Sequence, residues 1–403
     1  MKLSKLSQLF LVSIIGLMLA TYLTACELVT IDWVFVAASA DNTAGSAGQI
    51  YTYAADAESG ALRTGPPPVS SGGTLPVAMA VSPDDGSLYV ANQGNNSVVH
   101  FAVAYHGELT QKDTITTDAT PVALFVNPSG DYLYVLTGTT SATLTEYSLS
   151  SGAIGNAVAV EALKVPGYAG DTIVPTAVNA TADGNSVFAT AYDQSAYNPG
   201  GSATSNANPG WVFAFAVGSG GALTPATGSP YQAGVKPTAL TSDPTNRFLY
   251  ATDFASNELI GYTIHGGGVL YFIVNGPFKT GNEPSSVVID PRGIYLYVSN
   301  SLDSSVSAYN IALPTGAPAA VVNTSGSLLY ATDTQPVSIT IEPSLGRYVY
   351  TANHLGDSIS GFRLSPNTGA LKTTQATPYP TGANPTAVIA IPHGNHASQT
   401  VTP

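Results

Sequence analysis

Few reactive groups are available to this chain. Of 403 residues, 12 are Lys or Arg, 25 are Asp or Glu, six are His and one is Cys. His354 and Asp357 stand three apart in Asn353-His354-Leu355-Gly356-Asp357-Ser358, and an imidazole beside a carboxylate is the pair that activates water as a general base. Lys236 is the kind of cation that stabilises a developing oxyanion. Asp253, Glu283, Asn300, Asp303 and Asn353 supply oxygen donors suited to a hard divalent cation, which would polarise a carbonyl, although they form no contiguous calcium-loop pattern. The sequence therefore requires no cofactor. His393-Gly394-Asn395-His396 is spaced like a metal pair but is expected in a polar tail. No Gly-x-Ser-x-Gly elbow, Walker loop, dinucleotide fingerprint or His-Glu-x-x-His helix occurs.

The elements that must position these residues are strands. Charged residues make up 9% of the chain and hydrophobic ones 44%, which argues against disorder. A net charge of -13 excludes a basic nucleic-acid binder. A phrase beginning Pro-Val-Ala-Met-Ala-Val-Ser-Pro at Pro76 and continuing Leu88-Tyr89-Val90-Ala91-Asn92 restarts at Pro121, Pro175, Pro237, Pro284, Pro336 and Pro385. The intervals are 45, 54, 62, 47, 52 and 49 residues. Period-two alternation punctuated by turns such as Pro83-Asp84-Asp85-Gly86 predicts four-stranded antiparallel blades. The last unit has one strand, and the N-terminus supplies an orphan set at Trp33–Ala38, Gln49–Ala54 and Leu62. An all-β, seven-bladed propeller over residues 33–391, closed by pairing the two chain ends, follows. Closure leaves no sheet edge in need of a partner, which points to a monomer.

Ahead of the fold, Lys2 and Lys5 precede an apolar run from Leu9 to Ala20, the pattern of a secretory signal. It ends in Leu23-Thr24-Ala25-Cys26, which resembles the lipobox of bacterial lipoproteins. The resemblance implies a signal peptide at 1–25, a lipid on Cys26 as the membrane partner, a tether at 26–32 and a flexible tail at 392–403. The expected location is the bacterial cell envelope, periplasmic or surface. Loss of residues 1–25 removes two lysines and no acid, so the net charge falls to -15, and acylation of the single cysteine leaves no thiol nucleophile or thiolate metal site.

The phrases Leu88-Tyr89-Val90-Ala91-Asn92, Leu296-Tyr297-Val298-Ser299-Asn300 and Val349-Tyr350-Thr351-Ala352-Asn353 resemble the Tyr-Val-Thr-Asn type repeat and the lactonase family that includes 6-phosphogluconolactonase-like proteins. That resemblance implies a channel whose mouth is built from the residues before each unit's proline and from the second-to-third strand loops. The mouth ring would be Leu75, Thr120, Val174, Lys236, Glu283, Gln335, Asn384. The loops would add Asn92, Asp253, Asn300, Asn353, His354 and Asp357. In family members an Asn-Arg-Gly-His phrase often occupies the place of residues 353–356; here the Arg is missing and the His is displaced. The expected function is binding of a small polar or carbohydrate ligand at the mouth, with hydrolysis of a carbohydrate-type lactone by His354, Asp357 and Lys236. A 6-phosphogluconolactonase-like hydrolase and a non-catalytic surface scaffold are the alternatives. Arg247, Arg292 and Arg347 are expected in turns on the opposite face, which suits an unphosphorylated ligand. A long third-unit loop, Ala191 to Pro209, is expected to be a lid, a partner-binding flap or a tolerated insertion.

Overall fold

The computed structural model describes residues 29–41, 43, 45–167, 172–195 and 209–393. The signal segment, Cys26, Asn42 and His396 lie outside the described residues, as does most of the long third-unit loop.

Seven antiparallel sheets form the propeller. Their innermost strands are Pro76–Val81, Pro121–Val126, Ile173–Ala180, Pro237–Ser242, Pro284–Ile289, Pro336–Ile341 and Ala383–Pro392, which define blades 1 to 7. Neighbouring innermost strands pack side by side around the ring. In blade 7 the last strand pairs with Thr30–Ser39, which pairs with Ala47–Asp56 and then Leu62–Thr64. The chain ends therefore close the ring as expected, with Trp33 opposite Ile391 and Val36 opposite Val388. The closing strands run slightly past 33 and 391, to Thr30 and Pro392, and His393 takes a hydrogen bond from Trp33 Nε1 at 3.1 Å. His393 thus packs on the seam and does not begin a free tail.

Each second strand is buried on both faces, so it reads as an apolar run instead of alternating. Along Thr30–Ser39, Val34 and Val36 pack with Tyr348, Tyr350 and Ile359 of blade 6, while Trp33 and Phe35 pack with Leu88, Val90 and Phe101 of blade 1. The tyrosine of the repeated phrase ties neighbours together. Tyr89, Tyr250, Tyr297 and Tyr350 donate to the carbonyls of Gly152, Gly316, Gly369 and Gly60 in the next blade's third-to-fourth strand turn, at 2.6–2.8 Å. Those glycines have φ between 67° and 83°. At Gly60 an added Cβ would also stand 2.1 Å from the Tyr348 ring, so backbone and space both require glycine.

The expected loop beginning at Ala191 is corrected. Ala191, Tyr192 and Asp193 belong to the second strand of blade 3, Ser186–Asp193, and pair Ala191 with Trp211 and Tyr192 with Gly210. Alternating small and aromatic residues continue the strand there, so the connection begins after Asp193.

Candidate functional site at the channel mouth

Antiparallel register puts the start of every innermost strand beside the end of the second strand: Pro76 lies opposite Asn92, Pro237 opposite Asp253, Pro284 opposite Asn300 and Pro336 opposite Asn353. The residues before those prolines and the second-to-third strand loops therefore share one face, the mouth. Proline suits the first strand position because no ladder donor is needed there.

The mouth is held by a repeated latch. The residue just before a third strand adopts a left-handed conformation at Asn96, Asn257, Ser304 and Asp357, with φ of 47–59°. Its carbonyl accepts the N–H of Thr117, Thr280, Thr332 or Thr381. In three of the four its side chain also accepts the backbone N–H of the residue before the next blade's proline: Asn257 from Glu283, Ser304 from Gln335, Asp357 from Asn384, at 2.8–3.2 Å. Glu283, Gln335 and Asn384 are themselves left-handed, with φ of 50–60°, a conformation that costs of order 1 kcal/mol in a side-chain-bearing residue and persists where the surroundings impose it. An Asn, Asp or Ser immediately before these four third strands was the sequence signal for this device.

The loop amides and carboxylates expected to bind ligand divide sharply. Asn92, Asp253, Asn300 and Asn353 are 0–1% exposed. Asn92 bonds Ser71, Asn300 bonds Ser305 and Ser307, and Asn353 bonds Ser358 and Ser360. Asp253 accepts the N–H groups of Val235, Lys236 and Ala255. These four brace the loops from beneath. Asn353→Ala is expected to lower stability by about 1–3 kcal/mol, since buried donors and acceptors lose partners, while KM for a mouth ligand stays unchanged. Urea unfolding beside saturation kinetics checks this; a changed KM with an unchanged midpoint would make Asn353 a ligand contact.

What remains accessible is the ring itself. Glu283, Gln335, Asn384 and Lys236 are half-buried and Leu75 is exposed. The Lys236 ammonium sits 4.4 Å from the Phe254 ring centroid and 5.7 Å from that of Tyr192, a cation–π platform that sequence reading missed. Burial lowers the lysine's pKa, and the facing Glu283 carboxylate opposes that shift. Glu283 in turn accepts the Ser301 hydroxyl at 3.3 Å and, through its carbonyl, the Ser301 N–H at 2.8 Å.

His354 also lies at the mouth. Its Nδ1 is 3.2 Å from the Pro385 carbonyl and its N–H donates to the Gln335 carbonyl. A carbonyl only accepts, so Nδ1 carries the proton and Nε2 keeps its lone pair. Asp357 sits on the same loop, but its carboxylate holds Asn384. The expected His354–Asp357 dyad is replaced by a His354–carbonyl pair, because the left-handed turn aims Asp357 at the next blade. Lys236 stands two blades from His354.

Among the described residues no three His, Cys, Asp or Glu side chains gather as a metal site. Asp303, one of the expected donors, accepts the backbone and side-chain N–H of Asn282. Three clefts recur at equivalent places beside the outer strands of blades 4, 5 and 6, with volumes of about 370, 370 and 260 Å³. They follow from the repeat, each lying where the fourth strand is broken into two short pieces. Lys279, near the mouth, is paired with Glu258 at 2.7 Å. Arg247, Arg292 and Arg347 lie in first-to-second strand turns on the rear face, where Asp243 and Asp290 bind the first two.

Fold and mouth together define a seven-bladed propeller with a polar, lysine-bearing channel opening. The chain belongs to the lactonase, seven-bladed β-propeller family, whose model matches residues 62–168 and 206–395. No curated protein matches it. Among solved structures, the periplasmic gluconolactonase of Pseudomonas aeruginosa is similar with a TM-score of 0.73 and 18% identity, over 91% of this chain and 100% of that one. A Bacteroides uniformis protein provisionally named a 6-phosphogluconolactonase has a TM-score of 0.71 and 18% identity, over 90% and 100%. Hydrazine synthase of Kuenenia stuttgartiensis is also similar, at 0.53 and 16%, over 79% and 95%. Such different names on one architecture put function in the site and not in the fold.

Proposed function

We propose that this protein is an exported, lipid-anchored hydrolase that opens an unphosphorylated carbohydrate-type lactone at the channel mouth. The observation that carries the reading is the Pro385 carbonyl on His354 Nδ1, which leaves the Nε2 lone pair to accept a proton. Nε2 takes a proton from water, and the water oxygen bonds to the lactone carbonyl carbon. The Lys236 ammonium takes the carbonyl oxyanion. Collapse breaks the ring ester C–O bond, and the proton returns from Nε2 to the departing ring oxygen, giving the hydroxy acid. Glu283, Gln335 and Asn384 bind ring hydroxyls, and Phe254 offers a stacking face. Absence of an arginine fork at the mouth favours a substrate without phosphate. Export and anchoring rest on the Lys2/Lys5 charge, the Leu9–Ala20 run and Cys26. The periplasmic location in the name of the Pseudomonas aeruginosa relative agrees with export, and no described helix is long and apolar enough to cross a membrane.

The test is pH-stat titration of residues 27–403 against phosphorylated and unphosphorylated sugar lactones, with and without chelator. His354→Ala is expected to lower kcat about 10²–10⁴-fold and Lys236→Met about 10²–10³-fold, both with the unfolding midpoint retained and no effect of chelator. Turnover lost only with chelator would replace this mechanism by a cation-assisted one. Absence of turnover on every lactone would favour the scaffold reading, to which Leu75, Leu302 and Leu355 lend support: they are 47%, 65% and 62% exposed around the same mouth and suit a macromolecular partner.

A further inference from the structure

The first strand enters the propeller from the rear. Asp32 lies beside Pro392 and Ser39 beside Ala383, so Thr30 marks the rear end and Ser39 the mouth end. Three residues separate Thr30 from Cys26, a reach of about 14 Å when fully extended. The mouth lies at the far end of that ten-residue strand, about 30 Å on. A lipid at Cys26 can bring the rear face to the membrane and cannot bring the mouth there.

Charge on the rear face is divided in the same sense. The rear turns of blades 1, 2 and 3 carry Asp84, Asp85, Asp131 and Asp183 and no Lys or Arg. Blade 6, next to the point where the tether emerges, presents Arg347, Arg363 and Lys372, all exposed. Arg363 is the cross-strand neighbour of both Tyr348 and Lys372, so the three cations cluster, and none forms an ion pair with a described carboxylate. In blade 7, Arg63 Nη2 donates to Thr30 Oγ1 at 3.1 Å, at the start of the tethered strand. Of the acids in this sector, Asp32 and Glu342 are fully buried and Asp56 nearly so, while Glu58 on the rear turn of blade 7 is exposed, so three exposed cations stand against one exposed carboxylate among the described residues. The body is strongly anionic, so the basic sector is the part an anionic surface repels least.

We propose that the rear face of blades 6 and 7 docks on the anionic surface of the membrane that holds the Cys26 lipid, so that the channel mouth opens away from the bilayer. This rests on the lipidation reading above. Cys26 is the only cysteine, so once it is acylated a single introduced thiol can be labelled selectively. The full lipidated protein, in vesicles of phosphatidylethanolamine and phosphatidylglycerol with headgroup-nitroxide lipid, is labelled at Asn367→Cys (rear turn of blade 6), Leu355→Cys (mouth loop of blade 6) or Asp183→Cys (rear turn of blade 3). Quenching is expected to be at least fivefold greater at 367 than at 355, and greater at 367 than at 183. Combining Arg347→Gln, Arg363→Gln and Lys372→Gln should erase the difference between 367 and 183. Equal or stronger quenching at 355 overturns the orientation, and an unchanged 367/183 ratio in the triple variant overturns the basic docking surface. Failure of the protein to float with the vesicles refutes the lipidation reading itself, and the proposal falls with it.

Discussion

A chain beginning at Ala57 is expected to lose cooperative folding of the whole ring. Such a truncation removes both N-terminal strands of blade 7 and leaves Ala383–Pro392 as a single strand with no second-strand partner. Ile31, Val34, Phe35, Val36 and Ile50 are 0–1% exposed, and full burial of side chains of this size stabilises by about 1.5–3 kcal/mol each. Their combined contribution, on the order of 10 kcal/mol, is comparable to the entire stability of an ordinary domain. The loss reaches both neighbours, because Val34 and Val36 line the seam with blade 6 while Trp33 and Phe35 line that with blade 1. Urea unfolding of the truncated chain against residues 27–403 should show no sharp transition, and co-expressing residues 27–56 in trans should restore one. An unchanged midpoint would mean that the ring does not depend on its closure.

The second large effect is a pH dependence at the same seam. Asp32, on the first strand of the chain, and Glu342, at the end of the innermost strand of blade 6, are both fully buried. Glu342 accepts the N–H groups of Leu345 and Arg347 at 2.8 and 2.6 Å, and Asp32 Oδ1 accepts the Ser344 hydroxyl at 2.7 Å. Glu342, with two backbone donors, is the ionised member, and Asp32, whose Oδ2 accepts no hydrogen bond, is the member that holds a proton. Burial, and after it the Glu342 charge, push the Asp32 carboxyl up to about 9; burial also raises Glu342. The phenol of Tyr348 feels the Glu342 charge, and that of Tyr350 feels both Glu342 and Asp32.

A carboxyl whose folded pKa lies above its unfolded value holds a proton in the native state that the unfolded chain releases. Its contribution is therefore intact below about pH 4 and is lost as pH rises toward about 9, at about 1.4 kcal/mol per pH unit for one proton. Asp85 and Glu146 titrate in the same direction but only up to about 6 and 7, so the interval above pH 7 isolates the pair. From pH 7 to 8.5 the protein is expected to lose about 2 kcal/mol, and Asp32→Asn, whose amide keeps a donor toward Glu342 without a titrating proton, is expected to lose little. The two urea midpoints should converge toward low pH and separate above pH 7. Parallel pH profiles for the two proteins would rule out a proton held on Asp32 at this seam.

Much of the architecture is legible in the chain. The proline-led phrase, the alternation and the turn residues are local signals repeated seven times, and repetition averages out the ambiguity of any one strand. The half-blades at the ends are complementary in the same alphabet, so closure was readable too. The residues before each proline were correctly placed at one face because antiparallel register follows from short turns alone. The roles of individual side chains were not readable in this way. Asn92, Asn300 and Asn353 look in sequence like exposed turn amides, yet they are buried under the loops they support.

The difference lies in the range of the interactions. Strand, turn and blade number depend on neighbours a few residues apart, and the sequence by itself determined those. Which polar atom points outward depends on packing between blades, and only the tertiary structure decided it. Asp357 aims at Asn384 because its left-handed turn meets the next blade. His354 finds the Pro385 carbonyl 31 residues away, and Tyr350 finds Gly60 at a separation of 290. Asp32 meets the Glu342 turn through Ser344, 312 residues along the chain. No local pattern encodes such partners. They exist because closing the ring brings the first strand against the sixth blade, and there burial decides which carboxylate keeps its proton.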